Sequence, residues 1–290
     1  TGHRKQWRAG RAPVTVGDVM VGGAVGTVVE SRHSHYRKGE VVVGQWGWQE
    51  YALSDGRGVE KFDASMAPMS TALGILGMPG MTAYFGLLEV GEPEPGETVF
   101  VSGAAGAVGS TVGQIARIKG CSVVGSAGSQ EKIDWITGEL GFDGAFNYKE
   151  TSERRYLSAI RELCSDGIDV YFDNVGGPIT DAAFKLINTG ARIAVCGQIS
   201  QYNAVKPPQG PRKLWYLIAK QARAEGFLVY NWEDQWPEAR REMARWMEGG
   251  ELRYRETITD GIENAPAAFI GLFHGENTGK QLVCVCEPEG

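Results

Sequence analysis

The chain has 290 residues, of which 42% are apolar and 41 are glycines, and its formal net charge is −6. This length predicts two domains, and the mild acidity argues against a basic surface for nucleic acid or anionic membranes. No uninterrupted apolar stretch reaches the ~20 residues that cross a bilayer. The basic N-terminal stretch is followed by no apolar segment of the kind found in a secretory signal. We therefore expect an α/β protein with no nucleic-acid or membrane partner.

The first part of the chain is predicted to be rich in β-strand. Short apolar runs at residues 25–30, 41–44 and 50–53 are separated by glycines and charged turns. This pattern predicts about half of a β-barrel-like domain. A helix-prone stretch from Met66 to Gly91 then leads into the second part of the chain.

From residue 98 onwards, predicted strands alternate with predicted helices, which is the pattern of a parallel sheet. The predicted strands cover residues 98–101, 121–126, 145–148, 168–172, 192–196 and 227–230. One predicted helix follows each of the first two strands. The other predicted helices cover residues 152–164, 214–221 and 237–248, and one more begins at Pro178. The helix at 237–248 is expected to end at the glycine pair 249–250.

A glycine-rich turn follows the first strand of this region. The spacing is Gly103-x-x-Gly106-x-x-Gly109, and Val108 lies on the apolar face of the helix that opens there. A strand, a glycine turn and a helix N-terminus together favour a pyrophosphate, because the backbone approaches closely and unpaired N–H groups point at the ligand. The spacing alone is a weak signal, but its position at a strand–helix junction makes it strong.

The end of the next strand predicts which dinucleotide binds. NAD enzymes place an Asp or Glu there, on the ribose 2′-hydroxyl, about 20 residues after the glycine loop. Here the strand ends in Ser126-Ala-Gly128-Ser129, without an acid, and Lys132 follows in the first turn of a helix that Ser129 is expected to cap. The missing acid and the lysine favour NADP(H). The alternative for Lys132 is an ordinary solvated lysine.

Four segments share their order and spacing with a known family. They are Gly77-Met-Pro-Gly-Met-Thr-Ala-Tyr84, Ala104-Ala-Gly-Ala-Val-Gly109, Tyr171-Phe-Asp-Asn-Val-Gly-Gly177 and Glu225-Gly-Phe-Leu-Val229. The chain resembles the zinc-independent medium-chain dehydrogenases/reductases over nearly its whole length. Within them it is most similar to the prostaglandin/leukotriene reductase and bacterial curcumin (alkenal) reductase group.

The resemblance implies a Rossmann doubly wound parallel sheet plus a partly β-barrel, GroES-like substrate domain. Residues 1–75 would form the substrate domain, 76–245 the NADP(H)-binding domain, and 246–290 would return to the substrate domain. Family members carry several tens of residues before the position equivalent to Thr1, so we expect the N-terminal part of the substrate domain to be absent from this sequence. The resemblance also implies a homodimer.

The resemblance further implies a set of cofactor-binding residues. They are Thr82, Gly103, Ala104, Gly106, Ala107, Val108, Gly109, Gly128, Ser129, Lys132, Tyr148, Asn174, Cys196, Phe227, Val229, Asn277 and Gly279. Tyr148 would reach the 2′-phosphate, and Phe227 and Val229 would supply backbone hydrogen bonds to the carboxamide. Asn174 could instead serve only to form the turn, and Tyr148 could instead be only a half-buried aromatic residue.

Tyr202 is the predicted catalytic residue, because it matches the family's tyrosine over the nicotinamide. A neutral phenol can donate a hydrogen bond to an oxygen that becomes an enolate, without a metal. The alternative is an aromatic residue that packs on Pro207 and Pro208. The expected activity is NADPH-dependent reduction of the C=C bond of an enone or enal. A quinone oxidoreductase and a non-catalytic NADPH-binding protein remain as alternatives.

Metal and disulfide sites are not expected. The five cysteines, at 121, 164, 196, 284 and 286, contain no C-x-x-C pair, and the four histidines lie at 3, 33, 35 and 274. Zinc dehydrogenases of this superfamily need a Cys/His set at the active site and a four-cysteine lobe, which this pattern does not supply. Reduced thiols are typical of a cytoplasmic protein.

Overall fold

A computed structural model describes residues 14–206 and 208–286. Its strands are β1 (Ala24–Thr27), β2 (Val41–Gly44), β3 (Glu60–Lys61), β4 (Thr98–Val101), β5 (Ser122–Ala127), β6 (Gly144–Asn147), β7 (Ile168–Asp173), β8 (Ile187–Val195), β9 (Arg223–Gly226), β10 (Glu256–Asp260) and β11 (Lys280–Cys284). Its α-helices are α1 (Met78–Phe85), α2 (Ala107–Ile118), α3 (Gln130–Gly138), α4 (Tyr156–Leu163), α5 (Gly177–Ala183), α6 (Trp215–Ala219), α7 (Trp236–Glu248) and α8 (Ala265–His274).

The centre of the molecule is a six-stranded parallel sheet. Its strand order is β6-β5-β4-β7-β8-β9, and every strand pair in it is parallel. The chain runs outwards from β4 to one edge and then from β7 to the other, which is the Rossmann order. Phe100 of β4 pairs with Tyr171 of β7, so the two halves meet there. The predicted doubly wound α/β fold is confirmed, and its switch point lies between β4 and β7.

Apolar layers cover both faces of this sheet. On one face, Val112 and Ile115 of α2 are fully buried in a core with Met81 of α1. On the other face, Ile160 of α4 and Ile179 of α5 pack with Phe100 in a second core. Strands buried on both faces must be apolar almost throughout. This explains why the strands predicted from apolar runs at 98–101 and 168–172 were found within one residue of their ends.

The β-rich first part is smaller than predicted. Strands β1, β2 and β3 form one antiparallel sheet, in which β2 pairs with both neighbours. The strand predicted at 50–53 was wrong: these residues form no regular element, and Leu53 is fully exposed. Alternating apolar residues make a strand only when one face is buried, and here the partner of β2 is Glu60–Lys61.

The helix-prone stretch 66–91 is helical in three pieces. A 3₁₀-helix (Met69–Leu73), α1 and a π-helical turn (Gly86–Gly91) follow one another. The first break has a steric cause, because a Cβ at Gly77 would lie 2.0 Å from the carbonyl oxygen of Ala72. The glycines therefore permit a close turn that places the start of α1 against the preceding helix.

The end of the Rossmann half differs most from prediction. Strand β9 ends at Gly226, so the predicted strand 227–230 was wrong, and a 3₁₀-helix (Val229–Gln235) occupies much of it. All four residues of β9 are exposed on the edge of the sheet, and an exposed edge strand carries no apolar run to detect. Helix α6 is also shorter than its predicted range, 214–221.

The tail contacts both preceding parts. Strands β10 and β11 form a separate parallel pair, and α8 lies between them in the chain. The ring of Phe269 in α8 meets Trp48 edge-on, with centroids 6.0 Å apart. The tail also reaches the turn before α2, since the N–H of Gly279 donates to Ala105 O at 2.9 Å. Among the helices of residues 14–206 and 208–286, none is long and apolar enough to span a membrane.

Candidate functional site

The glycine turn lies where the sequence predicts, between β4 and α2. Gly103 has a φ of +64°, which favours glycine, and a Cβ at Gly109 would lie 2.3 Å from Gly103 O. Two of the glycines are therefore required by the fold itself. The N–H of Ala104 donates to Ser126 O at 2.9 Å and ties the turn to β5.

Gly106 is different, because the fold does not require it. Its φ is −83°, and the nearest atom to an added Cβ would be Gly103 O at an ordinary 3.4 Å. No side chain caps α2, so the N–H groups of its first turn, at Ala107, Val108 and Gly109, lie at an uncapped helix end. A glycine that the chain does not need, beside such a helix end, fits the close approach of a pyrophosphate.

The tail forms one wall of this turn. Gly279 bridges to Gly106 in a parallel arrangement, and the Nδ2 of Asn277 donates to Gly279 O at 2.8 Å. A Cβ at Gly279 would lie 1.9 Å from Arg255 O, and its φ is +67°, so no other residue fits without a shift. The structure thus brings Asn277 and Gly279 to the glycine turn, although more than 160 residues separate them in the chain.

A cluster of cationic and phenolic side chains lies at the end of β5. Ser129 caps α3 by accepting from the N–H of Lys132 at 3.4 Å, and the Lys132 Nζ donates to Gly275 O at 2.8 Å. Lys132 is only 9% exposed, so the solvated-lysine alternative is wrong. Burial, and then the charge of Lys149, hold the pKa of Lys132 below its usual range.

Tyr148 and Lys149 join Lys132 directly after β6. A Cβ at Gly275 would lie 3.7 Å from both the Tyr148 hydroxyl and the Lys149 Nζ, and 3.8 Å from the Lys132 Nζ. Burial raises the pKa of the Tyr148 phenol, which therefore stays a hydrogen-bond donor. Gly128 lies beside the same group, since a Cβ added there would lie 3.0 Å from the Tyr148 hydroxyl. We call Lys132, Tyr148, Lys149 and the carbonyls of His274 and Gly275 the lysine corner.

The switch point is organised by a carboxylate that the sequence reasoning did not single out. Asp173 ends β7 and is 1% exposed. It accepts hydrogen bonds from five donors at 2.8–3.0 Å: the hydroxyls of Ser102, Tyr171 and Thr180 and the N–H groups of Val175 and Gly176. We call this group the Asp173 cluster. Its signal in the sequence is the Asp-Asn pair at the end of a buried strand.

Asn174 connects the two strands at the switch point. Its N–H donates to the Ser102 Oγ at 3.0 Å, and its Nδ2 donates to Ser102 O at 2.8 Å. Its side chain therefore links the ends of β4 and β7. This position fits both roles considered for Asn174, as part of a turn and as a neighbour of a ribose at the carboxyl end of the sheet.

Tyr202 lies on the loop that follows β8. Its hydroxyl accepts a hydrogen bond from the N–H of Gln198 at 3.2 Å and would lie 3.0 Å from a Cβ at Gly197. Gly197 and Cys196 in turn donate their N–H groups to Asp173 O, which fixes this loop to β7. The packing alternative for Tyr202 involves Pro207, which lies outside the described residues.

Cys196, Phe227 and Val229 follow the strands β8 and β9, and Thr82 lies within α1. Burial and the charge of Asp173 raise the pKa of the Cys196 thiol to about 12, so it is an inert thiol. Phe227 follows β9, and its ring packs edge-on against Phe172, while Val229 is buried. The Thr82 hydroxyl donates to Met78 O within α1 at 2.7 Å.

No metal site was found in the described part of the chain, where no three His, Cys, Asp or Glu side chains form a group that could hold an ion. His33 and His35 are exposed neighbours on one loop, with ring centroids 5.5 Å apart. Two imidazoles without a third ligand do not make a zinc site. The prediction that the reaction is independent of metal remains to be tested.

Comparison with known proteins places these features in a family. The family described as zinc-binding dehydrogenase matches residues 107–245, and that described as the N-terminal domain of oxidoreductase matches residues 3–62. The NADPH-dependent curcumin reductase of Escherichia coli is 46% identical over 94% of this chain and 80% of its own length. The NADP(+)-dependent 2-alkenal reductase of Nicotiana tabacum is 46% identical over 93% of this chain and 78% of its own.

A solved structure agrees with these relatives. CurA from Vibrio vulnificus, in complex with NADPH, superimposes with a TM-score of 0.91 at 42% identity, over 99% of this chain and 86% of that one. This chain belongs to the zinc-independent medium-chain dehydrogenases/reductases, in the group of the prostaglandin and curcumin reductases. The resemblance identified from the sequence motifs is thus confirmed.

Proposed function

We propose that this protein is an NADPH-dependent reductase of C=C bonds conjugated to a ketone or aldehyde. The observation that carries the proposal is the pairing of a cationic, acid-free corner at the end of β5 with a phenol beside the β8 loop, in one sheet. The first feature suits a phosphorylated ribose, and the second suits an oxygen that gains negative charge. Its relatives are named as NADPH-dependent curcumin reductase and 2-alkenal reductase.

The residues present fit NADPH. The uncapped end of α2 and the space beside Gly106 would hold the pyrophosphate, and the tail at Gly279 would close over it. Lys132 and Tyr148 would hold the 2′-phosphate. Asn174, Cys196, Phe227 and Val229 lie at the carboxyl ends of β7, β8 and β9, where the nicotinamide half belongs in such a fold.

When bound, NADPH supplies the hydride that reduces the β-carbon of the substrate. The chain itself would orient the substrate carbonyl and stabilise its charge. The Tyr202 oxygen accepts from the N–H of Gln198, which strengthens the phenol as a donor through its own proton. That donation would favour the enolate, whose charge is delocalised, over a localised alkoxide. The β-carbon is therefore the expected hydride acceptor.

The test follows the label from deuterated NADPH into an α,β-unsaturated ketone. Mass and NMR analysis should give the saturated ketone with deuterium at the β-carbon. Deuterium at the carbinol carbon of an allylic alcohol would contradict the proposal. Carbonyl reduction on this scaffold uses zinc to polarise the C=O.

Comparing turnover across substrates distinguishes the proposed reductase from a quinone oxidoreductase and from a non-catalytic NADPH-binding protein. A panel of enals, enones and quinones should give faster turnover with the enones and enals. Faster turnover of quinones would indicate a quinone oxidoreductase instead. Tight NADPH binding with only trace turnover of every compound would indicate a non-catalytic nucleotide-binding protein.

We further propose a homodimer that forms through the exposed edge of the sheet. All four residues of β9 are exposed, and its outer edge has no neighbour in the described part of the chain. Large apolar side chains lie close to it in the sequence: Leu214 is 70%, Ile218 82% and Leu228 69% exposed. Unpaired strand edges bind further strands readily. Sedimentation equilibrium should give a mass of twice the chain, and a monomer would contradict this.

A cytoplasmic location is part of the proposal. The five cysteines are free thiols, and burial raises the pKa of Cys164 to about 12 and of Cys121 to about 11. Thiols of this kind persist where the compartment is reducing. Cell fractionation should find the protein with cytoplasmic markers.

A further inference from the structure

The lysine corner contains two ammonium groups, those of Lys132 and Lys149. Of these two, the proposed function gives only Lys132 a role in binding the 2′-phosphate. Lys132 lies in the first turn of α3, and Lys149 follows β6 by two residues. Both ammonium groups and the Tyr148 hydroxyl lie within 3.8 Å of one point, the position of a Cβ at Gly275. Like charges repel, so a fold brings two cations together at a cost unless an anion joins them.

Each of these two ammonium groups donates to a backbone carbonyl oxygen. The Lys132 Nζ donates to Gly275 O at 2.8 Å, and the Lys149 Nζ donates to His274 O at 2.6 Å. Neither lysine forms an ion pair among residues 14–206 and 208–286. The end of α8 offers a partial negative charge, which two full positive charges exceed.

Because Lys132 is buried, the excess of positive charge in the lysine corner costs more free energy than it would on the surface. Lys132 as a whole residue is 9% exposed, and a buried charge needs a charged partner or several acceptors. The charge of Glu131 raises the pKa of Lys132, but burial and then the charge of Lys149 outweigh it and lower the pKa. The corner is therefore built for an anion with more charge than a single carboxylate has.

We propose that Lys149 is a second specificity-determining residue for a phosphate monoester on the ribose 2′-oxygen, and that the carbonyls of His274 and Gly275 hold both ammonium groups ready for it. This inference rests on the proposed NADPH function. A phosphate monoester carries about −1.5 to −2 charges at pH 7 and three acceptor oxygens, which match two ammonium groups and one phenol.

A capping role for Lys149 is the competing explanation. Lysines stabilise helix C-termini by donating to the last carbonyls. A lysine that only caps α8 would affect the stability of the fold, and would weaken ligands with and without a 2′-phosphate to the same extent. A lysine that reads the phosphate would weaken only the phosphorylated ligand.

The experiment measures binding of adenosine 2′,5′-bisphosphate and of adenosine 5′-monophosphate by calorimetry, in the full chain and in Lys149→Met. We expect the bisphosphate affinity to fall by about threefold to tenfold, because Lys149 is exposed and an exposed charged contact contributes modestly. The affinity for the monophosphate should stay the same. The variant's binding of bisphosphate should also depend less on salt.

Two controls keep the result specific. Lys38→Met removes an exposed lysine on the turn between β1 and β2 and should change neither affinity. Thermal unfolding of Lys149→Met reports the capping contribution separately. An unchanged bisphosphate affinity, or an equal loss for both ligands, would overturn the inference. Failure of the unaltered protein to prefer the bisphosphate would instead contradict the assignment of NADPH, so the two failures are distinguishable.

Discussion

The Asp173 cluster and the lysine corner both contain charged side chains; Asp173 and Lys132 are buried, whereas Lys149 is exposed. They differ in how well the chain solvates them. Five donors surround the carboxylate of Asp173, whereas each ammonium of the lysine corner has one backbone carbonyl. A buried charge that its own chain satisfies is a structural element. A charge left with a single weak partner is available to a ligand.

The largest expected effect is the loss of folding stability when Asp173 is replaced. Asp173→Ala leaves several buried donors without an acceptor, and each such group costs about 1–3 kcal/mol. We expect the free energy of unfolding in urea to fall by more than about 3 kcal/mol. Asp173→Asn should lose less, because hydroxyl donors such as that of Tyr171 can rotate to accept from the new amide. A loss below about 1 kcal/mol in the alanine variant would contradict the structural role.

Lys132 should show the opposite behaviour. Lys132→Met keeps the buried stem and removes the charge, so the free energy of unfolding should change by less than about 1 kcal/mol. The preference for NADPH over NADH should narrow by roughly tenfold or more, since a desolvated lysine–phosphate contact contributes about 1.5–3 kcal/mol. Fluorescence titration with both nucleotides measures this. An unchanged ratio of dissociation constants would refute the assignment of Lys132.

The preference should also depend on pH. Burial lowers the pKa of Lys132, so its charge is lost at a lower pH than that of an ordinary lysine. NADPH affinity should therefore be full below this lowered pKa and decline as the pH rises through it. NADH affinity, which lacks the phosphate contact, should stay flat. Titrations from about pH 7 to about pH 10 would show it, and parallel curves for the two nucleotides would be the contrary result.

A smaller effect is expected at Tyr202, which lies in neither charged group. Tyr202→Phe removes a donor that acts on charge formed only as the substrate is reduced. The turnover number should fall modestly, with the dissociation constant of NADPH unchanged. Steady-state kinetics with an enone, paired with NADPH titration, separates the two. If turnover is the same in the variant, Tyr202 is a packing residue.

The smallest expected effect is that of metal removal. Dialysis against a chelator should change neither turnover nor the unfolding midpoint, because the described residues offer no set of ligands for zinc. Elemental analysis of the purified protein completes the test. A stoichiometric metal that is lost together with activity would contradict this expectation.

The sequence predicted the parts of the site that local chemistry determines. The β4 strand, the glycine turn and the capping of α3 by Ser129 depend on neighbouring residues, and each is present as expected. The placement of Lys149 and the carbonyls of α8 could not be predicted. They meet only because β6 and the tail are brought together by the fold, and a backbone carbonyl has no signature in the sequence.

Elements on exposed edges were also beyond prediction. Strand β9 has no apolar pattern, and the apolar run after it, at Phe227, packs beside Gly86 of the π-helical turn and against Phe172 of β7 instead. The run at 50–53 has the composition of a strand but forms no regular element. In both places the local sequence favours a strand, but tertiary contacts determine whether one forms.

The bridge between Gly106 and Gly279 has a consequence for synthesis on the ribosome. The six parallel strands are complete in a nascent chain that has reached Gly226. The glycine turn is not complete at that point, because its wall includes Gly279, about fifty positions further along the chain. A partly made chain would therefore have its sheet without a finished nucleotide pocket, and the cofactor would stabilise the fold only after the tail has emerged.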